Sequence, residues 1–169
     1  MSADSRHLPF PIDILVEGGR WPRRGRLRKI ATDAISAAIS QSGTDLAADS
    51  ELSIVFTNDD HIQDLNRMFR GKDKPTNVLS FPAAPAFGGK GAPSPLGDLV
   101  IAQETVAREA ADQGLTFDDH LTHMIVHGFL HLLGYDHENE AEAVVMERLE
   151  TAILAAIGVA DPYGDRDEA

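Results

Sequence analysis

The sequence predicts an α+β fold, in which a small mixed sheet of about four strands packs with about five helices. Short segments that alternate apolar and polar residues indicate strands, and longer segments with apolar residues at helical spacing indicate helices. These segments follow one another in irregular order, which favours this fold over a doubly wound α/β fold. We expect the 169 residues to form a single domain, residues 1–169, with flexible ends at about 1–8 and 159–169.

The first half of the chain predicts two strands and two helices. Ile12–Val16 and Glu51–Thr57 have the composition and alternation of strands. A helix is expected over about residues 26–41, where apolar residues recur at helical spacing. Asn58 is a suitable N-cap for a second helix that runs to about Arg70. The residues of this helix predicted to point inward are Ile62, Leu65 and Phe69.

Two further strands are expected in the middle of the chain. Val78–Phe81 predicts a short strand that Pro82 ends, and Asp98–Ala102 predicts another. The segment between them, residues 83–95, is rich in Gly and Pro. We expect it to be a mobile loop and not a domain linker, because a strand follows at once.

Three helices are expected in the second half. Residues 103–113 form the first, and Thr116 begins a histidine-bearing helix that ends at Gly134. The last helix spans about residues 138–157. Its acidic residues are expected to face solvent, namely Glu138, Glu140, Glu142, Glu147 and Glu150.

Composition excludes several classes of protein. The chain has no cysteine, which rules out disulfides, thiolate metal sites and cysteine nucleophiles. No stretch approaches the ~18 apolar residues of a membrane span, and an early acidic residue and a Pro–Phe–Pro break make the N-terminus a poor signal peptide. We therefore expect a cytoplasmic protein with no membrane partner.

The charge of the chain is unevenly distributed. The net charge is −12, yet residues 1–74 hold 11 basic and 11 acidic residues and are balanced. Ten of the fifteen basic residues fall in two runs: Arg20, Arg23, Arg24, Arg26, Arg28 and Lys29, and Arg67, Arg70, Lys72 and Lys74. Such runs are often solvated surface, but in an acidic chain they also indicate a site for an anionic ligand.

The run HGFLHLLGYDH has the spacing H-x3-H-x2-G-x2-H. His127 and His131 lie one helical turn apart and share a face. Gly134 lets the chain leave the helix, so that His137 can return over its end. Three imidazoles leave one position open on a tetrahedral zinc, as in a catalytic site. The run predicts one divalent metal on these histidines, most suitably Zn²⁺, although nickel, copper or iron would also be accepted.

Other polar residues lie close to this motif in the sequence. His123, one turn before His127, could be a fourth ligand or could orient a ligand. Asp136 could accept a hydrogen bond from a ligating imidazole, as carboxylates around metal sites do. His120 is expected on the solvent side or as a hydrogen-bonding partner.

One residue separates the motif from the long zincin signature H-E-x-x-H-x-x-G-x-x-H, which it matches at every metal-binding position. The glutamate that acts as general base in that signature is Gly128 here. A zinc peptidase needs this carboxylate to take a proton from water. The substitution therefore argues against ordinary zinc proteolysis.

Three blocks of sequence resemble the YbeY family of bacterial rRNA maturation factors. They are RGKDKPTNVLSFP (Arg70–Pro82), LGDLVI (Leu96–Ile101) and HGFLHLLGYDH, and their order and spacing agree with the family over roughly residues 50–157. The basic stretch around residues 20–29 and the insert around residues 84–95 lie outside these blocks.

The resemblance implies a zincin-like fold with the metal site on a central helix and zinc on His127, His131 and His137. It also implies a metal-dependent, single-strand-specific endoribonuclease that acts in 16S rRNA 3′-end maturation and ribosome quality control. The implied partners are the 16S rRNA precursor and the small ribosomal subunit with its proteins. Arg70 matches the functional arginine of the family.

The residues around Arg70 agree with that implication. A fork-shaped guanidinium and a metal on opposite sides of a phosphodiester could stabilise the negative charge of its reaction. Arg70 could instead complement the dipole at the end of its helix. Lys72 and Lys74 are candidate contacts to the RNA backbone or face solvent, and Asn77 and Ser80 could form hydrogen bonds near the site.

Two other functions stay open from the sequence. One is a metallohydrolase of peptides or small esters, and the other is a non-catalytic ribosome assembly factor that the metal stabilises. The acidic last helix could dock a basic ribosomal protein in either case. For the nuclease, both water and the RNA 2′-hydroxyl are candidate nucleophiles.

Overall fold

The computed structural model describes residue 8 and residues 10–46, 50–83 and 95–163. These residues form four strands and five helices, in line with the predicted α+β class. The strands are β1 (Ile12–Val16), β2 (Glu51–Thr57), β3 (Val78–Pro82) and β4 (Pro95–Ala102). The helices are α1 (Arg24–Ser42), α2 (Asp59–Arg70), α3 (Gln103–Gln113), α4 (Phe117–Leu132) and α5 (Glu140–Ala156).

The strands form one mixed sheet in the order β1-β2-β4-β3. β1, β2 and β4 run parallel, with Ile14 opposite Ile54 and Ile54 opposite Leu99. β3 is an antiparallel edge strand, in which Ser80 pairs with Leu99. The sequence predicted that Pro82 would stop the strand at Phe81, but Pro82 is itself the last residue of β3. A proline is tolerated there because β3 is an edge strand.

The two faces of the sheet support different layers of helix. Alternate residues of β1, β2 and β4 pack with α1, α4 and α5 in the main core. The opposite face carries a smaller cluster, in which Ile62 of α2 packs on Leu79, Val100 and Ala102. The alternation of side chains along each strand thus separates the two layers.

Helix α4 lies at the centre of the main core, where it contacts α1, α3, α5, β3 and β4. The Thr116 hydroxyl caps it by accepting a hydrogen bond from the backbone N–H of Asp119 at 3.1 Å. Gly134 follows its end with a φ of 103°, and Tyr135 N–H donates to the Leu130 carbonyl at 3.0 Å. This left-handed exit, predicted from the glycine, turns the chain back over the helix end.

Three expectations about side chains and boundaries need correction. Phe69 was predicted to point inward but is 57% exposed, because its ring lies at the sheet edge against Phe81, with centroids 5.3 Å apart. Glu150 was expected in solvent but is fully buried, since it shares the inner stripe of α5 with apolar residues. That helix begins at Glu140, two residues late, because Asn139 is its N-cap.

The segments predicted to be flexible are only partly described. Leu8 and Val159 both pack against the main core, and the Tyr163 hydroxyl donates to Glu150. Residues 1–7, 9 and 164–169, and residues 84–94 of the predicted loop, lie outside the described residues. Strand β4 begins three residues earlier than expected, because its pairing with β2 extends to Pro95 opposite Glu51. Among the described helices, none has the length and hydropathy required to span a bilayer.

The basic run at residues 20–29 supports the open edge of the sheet. Arg24 donates to the Ile14 carbonyl at 2.7 Å and Arg28 to the Ile12 carbonyl at 3.2 Å. Both carbonyls belong to β1, whose outer edge has no neighbouring strand among the described residues. Covering an edge strand with charged side chains is a common protection against pairing with another chain. At least these two arginines therefore have a structural role.

We expect Gly97→Ala to destabilise the fold strongly. Gly97 has a φ of +133°, and an added Cβ would lie 2.2 Å from the Phe81 carbonyl oxygen. The backbone strain costs about 1–3 kcal/mol, and the clash with a paired strand adds a cost of about 1–3 kcal/mol. Urea unfolding should therefore show a loss of roughly 3 kcal/mol or more.

Gly43→Ala is the matched control for this substitution. Gly43 also has a positive φ, of +69°, but an added Cβ there meets open space. Its loss should be limited to the left-handed penalty of about 1–2 kcal/mol. Equal losses in the two variants would contradict the close approach of β3 and β4 at Gly97.

Candidate metal centre

The three histidines of the sequence motif converge in the structure. One ligating nitrogen of each of His127, His131 and His137 lies within 4.8 Å of the other two. The Nε2 atoms of His127 and His131 are 3.2 Å apart, and the ring of His137 lies 5.0 Å from that of His131 between centroids. His127 and His131 occupy one face of α4, and the turn after Gly134 delivers His137. We call these three residues the outer trio.

The donor set of the outer trio fits zinc. Zn–N bonds of about 2.0–2.1 Å at tetrahedral angles put two nitrogens about 3.3 Å apart, and the observed His127–His131 separation is 3.2 Å. Burial, followed by the neighbouring His127 and His137, lowers the pKa of His131. A lowered pKa favours the neutral imidazole, which is the form that binds a metal.

The other side of His127 faces a buried carboxylate that the sequence analysis missed. His127 Nδ1 lies 2.5 Å from Glu150 Oε2, and His123 Nε2 lies 3.1 Å from Glu150 Oε1. The Tyr163 hydroxyl donates to Oε1 as well. Burial alone would raise the pKa of the Glu150 carboxyl, but hydrogen bonds and charge from His123 and His127 outweigh it and hold that pKa well below its usual range.

Asp136 and His123 were predicted to lie beside the metal ligands, and the structure shows a partner for each. Asp136 Oδ1 accepts a hydrogen bond from the backbone N–H of His137 at 2.8 Å, and this bond stabilises the turn that carries His137. His123 faces Glu150 and groups with it and with His127, which also belongs to the outer trio.

His120 is buried and not on the solvent side. Its Nε2 lies 2.8 Å from Glu109 Oε1, so of the two predicted alternatives the hydrogen-bonding one holds. Burial alone would raise the pKa of Glu109, but hydrogen bonds from His120 and Asn77 lower it. A polar residue within an apolar stripe, as Glu150 is in α5, is the sequence signal that could have indicated such pairs.

A groove of about 720 Å³ opens beside the outer trio. The three histidines line it together with Arg70, Lys72 and Lys74, which come from the end of α2 and the loop before β3. The Arg70 guanidinium donates to the Ser80 carbonyl at 2.8 Å and lies 5.1 Å from the centroid of the Phe81 ring. Strand β3 therefore holds Arg70 at the same groove as the histidines.

Ser80 and Asn77, both predicted near the site, fasten β3 to its neighbours. The Ser80 hydroxyl donates to the Gly128 carbonyl on α4 at 3.0 Å. The Asn77 amide donates to the Glu109 carboxylate on α3 at 3.0 Å and 3.2 Å. These bonds fix β3 against the histidine helix and so fix one wall of the groove against the other.

Gly128 lies where α4 packs on the sheet. A Cβ at this position would lie 2.9 Å from Leu99 Cδ2, 3.1 Å from Val78 Cγ2 and 3.2 Å from Ser80 Oγ. A larger side chain would push the helix away from β3 and β4. A glutamate at this position, which holds the general base in the long zincin signature, would thus have to displace packed side chains.

Comparison with known proteins gives matches over most of the chain. Residues 22–158 match the family model described as Endoribonuclease YbeY. A relative from Rhodopseudomonas palustris (strain ATCC BAA-98 / CGA009), named Endoribonuclease YbeY, is 51% identical over 94% of this chain and 83% of its own length. Another of the same name, from Sinorhizobium medicae, is 52% identical over 91% of this chain and 95% of its own.

A solved structure has the same fold. The solution structure of TM1509 from Thermotoga maritima aligns with a TM-score of 0.57 at 24% identity, covering 94% of this chain and 93% of that protein. The expected α+β architecture is therefore found, with the histidine helix at its centre. By the family match and by the identity of these relatives, the chain belongs to the YbeY family.

Proposed function

We propose that this protein is a metal-dependent endoribonuclease that cuts single-stranded RNA. Its relatives are named endoribonucleases, and we place its substrate as the 16S rRNA precursor, in 3′-end maturation and ribosome quality control in the cytoplasm. The small ribosomal subunit and its proteins are the partners that this role requires. One observation carries the proposal: the outer trio and Arg70 line the same groove.

The chemistry of phosphodiester cleavage explains why these groups belong together. Negative charge grows on the non-bridging oxygens of the phosphate as the bond to the leaving oxygen breaks, and fixed positive charge lowers the barrier. A zinc ion on His127, His131 and His137 would supply positive charge to the phosphate and lower the pKa of a bound water. Arg70 would supply a planar guanidinium that hydrogen-bonds two phosphate oxygens at once.

The position of Arg70 suits this role. Its guanidinium is oriented by the Ser80 carbonyl, at 2.8 Å, and by the ring of Phe81. An arginine held in this way loses less side-chain entropy when it binds a phosphate than one free in solvent would. The Ser80 hydroxyl in turn is fixed to α4, which keeps the distance between Arg70 and the outer trio constant.

Lys72 and Lys74 extend the positive charge along the groove. Both are exposed and line it, although the chain as a whole carries a net charge of −12. Contacts from lysine to RNA phosphates are independent of sequence and weaken as salt rises. These two lysines are therefore proposed to bind the backbone on either side of the cleaved phosphate.

The peptidase alternative is the weaker candidate. It needs a carboxylate at the position of Gly128, and the space there is filled by Leu99, Val78 and Ser80. The second alternative, a non-catalytic assembly factor, does not explain why an arginine is fixed in the same groove as the outer trio. We also propose that the whole chain acts as one domain, since the family match begins before α1 and ends after α5.

Removal of either Arg70 or a histidine of the outer trio should greatly reduce RNA cleavage. We expect Arg70→Ala to lower kcat/KM on single-stranded RNA by about 10²–10³-fold, the usual effect of removing one donor to a developing oxyanion. Arg70→Lys should recover only part of this, because lysine keeps the charge but not the fork. His131→Ala should remain folded and lose activity, since it removes one of three ligands.

The matched control is Arg67→Ala on the same helix. Arg67 forms ion pairs with Asp64 at 3.3 Å and Asp73 at 3.6 Å, so this variant loses the same charge and should cleave like the wild type. The assay compares single-stranded and duplex RNA and identifies the product ends; a 2′,3′-cyclic phosphate would show attack by the 2′-hydroxyl. Unchanged cleavage by Arg70→Ala and His131→Ala would remove the proposed site.

Removing the metal should stop cleavage without unfolding the protein. The main core consists of apolar side chains from the sheet and from α1, α4 and α5, so it does not depend on an ion at the groove. Chelator-treated protein should keep its circular dichroism and melt at a lower temperature, because a ligand at 100 times its Kd adds about 2.7 kcal/mol. Zn²⁺ should restore cleavage, and Mg²⁺, which prefers oxygen ligands, should not. Unfolding on chelation would instead favour the non-catalytic alternative.

A further inference from the structure

His127 is shared between two groups of side chains. Its Nε2 faces the outer trio, 3.2 Å from His131 Nε2. Its Nδ1 faces Glu150, which lies 27 positions from His123 in sequence and contacts both imidazoles. His123, His127 and Glu150 form what we call the inner group. Like the outer trio, it places three ligand-type atoms within 4.8 Å of one another.

The distances assign different roles to the two groups. Two ligands of one tetrahedral zinc stand about 3.3 Å apart, which the outer pair satisfies at 3.2 Å. The inner contact between His127 Nδ1 and Glu150 Oε2 measures 2.5 Å. That is too short for two ligands of one ion and is instead the contact of an N–H with a carboxylate. The inner group is therefore a hydrogen-bond network and the outer trio is the metal site.

We infer that Glu150 is a positioning residue that fixes the tautomer and the ring plane of His127. A neutral imidazole has one N–H and one lone pair, and a carboxylate only accepts hydrogen bonds. The proton of His127 must therefore lie on Nδ1, where it meets Glu150. The lone pair is left on Nε2, directed at His131 and the groove. The role of this orientation in metal binding rests on the proposed function; the tautomer itself does not.

Glu150 is itself held firmly enough to act in this way. Its side chain is 0% exposed, and its other oxygen is within hydrogen-bond distance of both His123 and the Tyr163 hydroxyl. These partners come from α4 and from the chain after α5. A carboxylate fixed from two directions cannot follow the imidazole if His127 rotates. It therefore selects one ring orientation, as carboxylates behind metal-binding histidines commonly do.

The tautomer can be measured without any metal. Long-range ¹H–¹⁵N correlation spectra of the full-length, metal-free wild-type protein at about pH 8, where an ordinary imidazole is neutral, distinguish the two ring nitrogens of each histidine. We expect His127 to carry its proton on Nδ1. A proton on Nε2, or an even mixture of both tautomers, would overturn the inference.

The effect on metal binding is measured with Glu150→Gln, which keeps the size of the side chain but removes its charge and its obligatory acceptor character. We expect the Kd for Zn²⁺, measured by competition with a chromophoric chelator, to rise by about 10–100-fold. The tautomer of His127 should become mixed in the same variant. A Kd equal to that of the wild type would overturn the inference, as would two Zn²⁺ ions bound per chain, with Glu150 needed for the second.

Glu147→Gln is the matched control. Glu147 lies one turn earlier on α5 and lines the same shallow depression as His127 and His137, so its loss changes the local charge equally. Its Zn²⁺ affinity should stay close to that of the wild type. Should Glu150→Gln fail to fold, the tautomer of the wild type decides.

The outcomes separate this inference from the proposed function. If wild-type protein binds no Zn²⁺, the metal-dependent activity fails, yet the tautomer measurement still tests Glu150. If wild-type protein binds Zn²⁺ and cleaves RNA, while Glu150→Gln does both equally well, then only the positioning role of Glu150 fails.

Discussion

The burial of α4 is the constraint on which the rest of the structure depends. This helix carries four histidines yet is buried over most of its length, and a buried imidazole without a partner costs about 1–3 kcal/mol. Carboxylates from two other helices reduce that cost: Glu109 of α3 contacts His120, and Glu150 of α5 contacts His123 and His127. The packing of α3 and α5 around α4 therefore also orients the histidine-bearing face of this helix.

Local signals were enough to predict the histidine site. The spacing of His127 and His131, the glycine that ends the helix and the return of His137 all lie within eleven residues, where helical geometry and one left-handed residue determine the arrangement. The four strands and five helices were also predictable, because each depends on periodicity and capping within its own segment. Their boundaries moved by a few residues where a cap or a strand partner decided the end.

Contacts distant in sequence could not be predicted in the same way. Glu150 looked like one of several solvated acids on α5, and only the packing of that helix on α4 shows that it faces two imidazoles 23 and 27 residues away. Phe69 belongs to the apolar stripe of α2, but this end of the stripe lies at the edge of the sheet, so the ring is exposed. In both cases the exposure of the side chain depended on its neighbours in the tertiary structure, which the sequence of its own helix does not specify.

The position of Arg70 follows from close backbone contacts made several residues away. Gly97 lets β3 and β4 approach, because a Cβ there would meet the Phe81 carbonyl, and Gly128 lets α4 approach the same sheet. With both glycines in place, the Ser80 hydroxyl reaches the Gly128 carbonyl and the Ser80 carbonyl receives Arg70. The two glycines thus allow the close packing through which Ser80 positions Arg70.

The charge distribution then decides how an anionic substrate is recognised. A net charge of −12 repels a polyanion at long range, but this repulsion is screened beyond about 8 Å at physiological salt. The cations Arg70, Lys72 and Lys74 are gathered at one groove. If the groove binds RNA as proposed, the substrate would be selected by contact with these side chains and not by steering from a distance.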